Sequence, residues 1–146
     1  MEYFIQEAEY IAEAFSTTWP APQRQIIKRD VTLRDLYETT SERAFQELWE
    51  KRLGQAPDSL AAFGRPVLGG GLRFVMPPQP GDQEPVQIEV KIESFLRDTS
   101  KIYVETQFVW PQPTPPGMLF DPRERLLQVN DYIQNQVLSF IMGDLR

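Results

Sequence analysis

The chain contains no cysteine and no histidine. Without cysteine there can be no disulfide, Cys-ligated zinc, iron–sulfur cluster or thiol nucleophile. Histidine titrates nearest neutral pH and is the commonest general base and metal ligand. Its absence removes Ser-His-Asp hydrolysis, His-bound catalytic metals and haem ligation through a proximal histidine. Carboxylate, tyrosine and lysine chemistry remain. Long apolar runs are missing too. No stretch approaches the 18 or so uninterrupted apolar residues of a membrane-spanning helix. The opening Met1-Glu2-Tyr3 has no basic stretch leading into an apolar run, so no secretory signal is expected and the cytoplasm is the expected location. Positive charge is scarce: 15 Lys and Arg against 21 Asp and Glu leave a formal charge of −6. Phosphate backbones and anionic lipids are bound mainly by Lys and Arg, so neither nucleic acid nor membrane is an expected partner.

A 146-residue chain that is 41% hydrophobic and 25% charged is long enough for one buried core, and it reads as a single domain over residues 1–146. Phe4, Ile5, Ala8, Ile11, Ala12 and Phe15 recur at helical spacing, which predicts a helix over roughly 2–16, ending before Trp19-Pro20. Residues 1–22 hold Glu2, Glu7, Glu9 and Glu13 and no Lys or Arg, so most of the net charge lies there. Residues 24–38 fit two structures. Ile27, Val31 and Leu33 alternate with polar residues as in an edge strand, yet Thr32 to Asp35 also resembles a helix-opening capping box. A second helix is expected over 41–53, with Ser41 as its cap and Gly54 as its stop.

Strand alternation then takes over. Leu72, Phe74 and Met76 begin it; Val86, Ile88, Val90 and Ile92 follow; Ile102, Val104, Thr106, Phe108 and Trp110 complete it. The expected fold is therefore α+β. A three-stranded antiparallel meander (about 68–76, 86–96 and 101–110) is packed by two or three N-terminal helices and a C-terminal helix over about 122–142. That last helix has Asp121 as N-cap, Pro122 at its first position and Gly143 as C-cap. In the second hairpin Lys91 should face Glu105 and Ile92 should face Val104. The other register of equal parity opposes Glu93 to Glu105, and like charges repel.

Three features could carry chemistry. Gly64 and Gly69-Gly70-Gly71 echo the spacing of a phosphate loop, but the required Lys-Ser/Thr is absent and the stretch leads into a strand. A flexible or bulged strand entry accounts for it. Glu89, Glu93 and Glu105 share one strand face with Lys91 among them, the pattern of a solvated face and not of a desolvated acid–base pair. The repeated Trp19-Pro20-Ala21-Pro22 and Trp110-Pro111-Gln112-Pro113 each begin a proline-stiffened loop. The tryptophans could cap the ends of the core. The alternative is that they join Pro113, Pro116, Met118 and Phe120 in an exposed docking surface, Trp being enriched at interface hot spots.

These features lead to an expectation of a non-enzymatic intracellular interaction, assembly or regulatory module that binds a protein partner or itself, as a homodimer. Its candidate partner-binding residues are Trp19, Pro20, Trp110, Pro111, Pro113, Pro116, Met118 and Phe120. No catalytic, cofactor-binding or metal-ligating residue and no cofactor is assigned. A small apolar-ligand domain with a pocket between sheet and helices, and an enzyme using carboxylate, Tyr or Lys chemistry, are the alternatives.

Overall fold

A computed structural model of the chain describes residues 1–18 and 25–143. Helix α1 runs Glu2–Thr18 and is followed by strand β1, Arg29–Glu38. Helix α2 is a turn at Ala44–Glu47 that continues as a wider π turn, Leu48–Arg52. A 3-10 turn at Ser59–Phe63 precedes strands β2 (Gly71–Met76), β3 (Gln87–Ser94) and β4 (Lys101–Trp110). Helix α3, Pro122–Tyr132, passes through a π-helical segment, Ile133–Val137, into α4, Leu138–Met142.

The α+β class is as expected, but the sheet has four strands and not three. Their order is β1-β4-β3-β2, all neighbours antiparallel. The added strand is the ambiguous segment. It pairs along the full length of β4, from Arg29 opposite Trp110 to Glu38 opposite Lys101. Pairing of that extent satisfies backbone groups that an isolated capping box at Thr32 could not, so the strand prevails. The β3–β4 register is the expected one, with Lys91 opposite Glu105 and Ile92 opposite Val104.

One sheet face builds the core. Val31, Val90, Ile92, Ile102, Val104, Phe108 and Trp110 are buried there beneath Phe45 and Leu48 of α2 and Leu126, Val129, Ile133, Val137 and Ile141 of the C-terminal helix. Tyr132 meets Phe108 edge-on at 5.2 Å, and Phe140 meets Phe74 edge-on at 5.5 Å, so the helix spans the sheet from centre to edge. Its cap forms as the sequence indicates: Asp121 accepts from the Glu124 amide at 3.1 Å, and Gly143 ends it with φ +70°. The buried residues after Val129 fall at every fourth position. Such a stripe drifts around a 3.6-residue helix, and the wider π turn offsets the drift. α2 begins three residues later than expected, at Ala44. The Ser41 hydroxyl instead accepts from the Arg43 amide, closing the preceding turn.

Candidate interaction site

The loop after β4 divides the predicted docking residues. Trp110 is buried at 1% exposure, tilted against Phe108 and lying within cation–π reach of Arg125 (5.0 Å) and Arg29 (5.9 Å). Its indole therefore belongs to the core, which corrects the expectation that its ring joins an exposed surface. Glu84 bridges the two arginines, 2.6 Å from each. This cluster was missed in the sequence. A charged residue two positions before Val31 on the inward side of an alternating strand was its one local signal. Pro111, Pro113, Pro116, Met118 and Phe120 are all exposed. The backbone between them is held, since Thr114 donates to the Ile26 carbonyl at 2.8 Å and its hydroxyl accepts from the Ile26 amide. Trp19 and Pro20 lie outside the described residues.

Several large apolar side chains of α1 are exposed. Ile5 is the helix's only buried residue, and Ala8 packs at the core margin. Phe4, Ile11 and Phe15 lie on one stripe at 55%, 64% and 52% exposure, and Tyr3 and Tyr10 stand out beside it. The apolar stripe read from the sequence is real, but only one flank of it meets the core. Two of the four glutamates share one cation: Arg123 of α3 binds Glu9 at 2.7 Å and Glu2 at 2.9 Å. The Arg123 hydrogen bond holds the Glu2 carboxyl below its ordinary range. Glu7 and Glu13 form no ion pair among the described residues, so the exposed side of α1 keeps its negative charge.

The other candidate chemistries find structural explanations. On the open sheet face, Arg73, Glu89, Lys91, Glu105 and Arg34 form one ion-pair chain across all four strands. Glu89 and Glu105 each meet two cations there. The face is thus an ion-paired ladder and not merely a solvated one, and the hydrogen bonds from Lys91 and Arg34 pull the Glu105 carboxyl down to about 2. A carboxylate held this far below neutrality is a poor proton acceptor. In the triple glycine, a Cβ at Gly69 would lie 2.6 Å from the Ser94 side chain and one at Gly70 would lie 2.9 Å from the Phe45 ring. Close packing at the strand entry explains these glycines. Among the described residues no group of His, Cys, Asp or Glu could hold a metal, and no helix is long and apolar enough to cross a membrane.

Two clefts flank α2. One, of about 410 Å³, opens where Ile102 at the sheet end faces Ile141 of the C-terminal helix. The other, of about 480 Å³, lies between α2 and the loop leading to β2.

No protein-family model, curated protein or solved structure matches the chain. A functional reading therefore rests on the site, because architecture of this class hosts many unrelated activities.

Proposed function

We propose that this protein is a non-catalytic interaction module that docks a protein partner, or a second copy of itself, through α1 and the exposed 115–120 segment. The observation carrying this reading is the exposed stripe of α1. A 17-residue amphipathic helix that buries Ile5 alone and leaves Phe4, Ile11, Tyr3 and Tyr10 largely exposed has a second apolar flank that no core among the described residues covers. Contiguous exposed apolar surface of this kind marks interaction sites in soluble proteins. Aromatic residues supply large contact area at low entropic cost. Met118, Leu119 and Phe120 extend the supply of exposed apolar groups. Their loop is pre-ordered by prolines and by the Thr114–Ile26 hydrogen bonds, which lowers the ordering cost of docking. Against catalysis stand the absence of histidine and cysteine and the cation-saturated carboxylates of the open sheet face.

The test is a surface double variant, Phe4→Ser with Ile11→Ser. Both side chains are more than half exposed, so its urea midpoint should correspond to wild-type stability within about 0.5 kcal/mol per site. Its association, measured as solution mass by light scattering and as partner capture from host extract, should be lost. A folded double variant that associates as the wild type does would overturn the reading.

A further inference from the structure

The 480 Å³ cleft beside α2 has the size and lining of a small-molecule site and is distinct from the α1 surface. Its floor is aromatic. Phe45 and Trp49 lie 6.4 Å apart between ring centroids, tilted by 31°. The Trp49 indole N–H donates to the Ser59 hydroxyl at 3.2 Å, and that hydroxyl donates in turn to the Ala56 carbonyl at 2.7 Å. The indole is therefore fixed, with its polar edge satisfied. Leu60 and Val67 continue the apolar wall. The glycines of the strand entry belong to this arrangement, because a side chain at Gly70 would press on the Phe45 ring that forms the floor.

Charge in the cleft runs against the rest of the chain. Arg43 and Arg65 both line it, and neither forms an ion pair among the described residues. Among the described residues the Arg43 guanidinium makes only a long hydrogen bond, to Gln46 at 3.4 Å. The one carboxylate in the lining, Glu50, accepts from the amide of the same Gln46 at 2.7 Å. A protein of formal charge −6 thus places two uncommitted guanidinium groups beside an aromatic floor. Guanidinium groups present planar, paired donors that match a carboxylate.

We propose that this cleft binds a small organic anion, a monocarboxylate with an aromatic or branched aliphatic body. The body lies on Phe45 and Trp49, and Arg43 and Arg65 hold the carboxylate. The exposed apolar surface of α1 plays no part in it.

The probes are 1-naphthoate and its neutral counterpart 1-naphthalenemethanol, titrated calorimetrically and followed by amide chemical shifts. Naphthoate should saturate one site per chain below about 1 mM. Its shifts should centre on the amides of Trp49, Arg65, Gly69 and Gly70, and it should bind at least about tenfold more tightly than the alcohol. Arg65→Gln, at an exposed loop position, should remove about that tenfold preference while leaving the affinity for the alcohol unchanged. Equal affinities for the two probes, shifts centred elsewhere, no saturation, or an Arg65→Gln variant that keeps the preference would each overturn the proposal.

Discussion

At Glu105 three donors converge on one carboxylate: Lys91 and Arg34 at 2.6 Å each and the Tyr103 hydroxyl at 3.0 Å. Hydrogen bonds from Lys91 and then Arg34 outweigh the upward push of burial, so the folded-state pKa falls to about 2 from an ordinary 4.5. A depressed carboxyl pKa contributes stability that is fully present above the unfolded value and is lost as pH falls from there through the folded one. The wild type should therefore lose urea resistance between about pH 4.5 and pH 2, and Glu105→Gln should lose less of it. The midpoints of the two proteins should differ at neutral pH and converge in acid. This pairing was legible in the sequence, because only one register of the hairpin avoids facing glutamates. The surroundings of Trp110 were not. Arg29 lies 55 residues from its partner Glu84, and Arg125 lies 41 residues from it, separations that no local pattern reports. Trp110→Ala should cost about 3–5 kcal/mol, by removing a buried aromatic and the ring that two buried guanidinium groups approach. A thermal melt unchanged by that substitution would show that the indole is not part of the core.

Among the elements, the C-terminal helix was readable almost to the residue, because Asp121, Pro122 and Gly143 mark its ends and its apolar positions recur without interruption. Strand β1 was not, since its residues suit a strand and a capping box equally. The choice is made by β4, more than sixty residues away. Helix α1 shows a third case. Its stripe was legible, but periodicity locates an apolar face without saying how much of it the chain itself covers. The two helices should respond differently to the same truncation. Ile133→Ala removes a side chain at 2% exposure beneath the sheet and should destabilise by about 2–5 kcal/mol. Ile11→Ala should change stability by no more than about 0.5 kcal/mol. Comparable urea midpoints for the two variants would contradict the packing described for both helices.

For the molecule as a whole, one sheet face is occupied by helices and the other by an ion-pair chain, and among the described residues the exposed side of α1 has neither. Composition alone narrowed the chemistry by removing histidine and cysteine. It could not distinguish a tryptophan that closes a core from one that docks a partner, because burial is decided by contacts distant in the chain. The predicted docking surface accordingly shifts from Trp110 to α1, with the 115–120 segment retained. The direct test is a photo-crosslinking residue introduced at position 11 on α1, and separately at position 32 on the open sheet face, followed by irradiation in living host cells. Position 11 should yield a discrete crosslinked species, either a dimer of this chain or one heterologous adduct, and position 32 should yield none. An unmodified chain at position 11, or the same adducts from both positions, would contradict the assignment of α1 as the interaction surface.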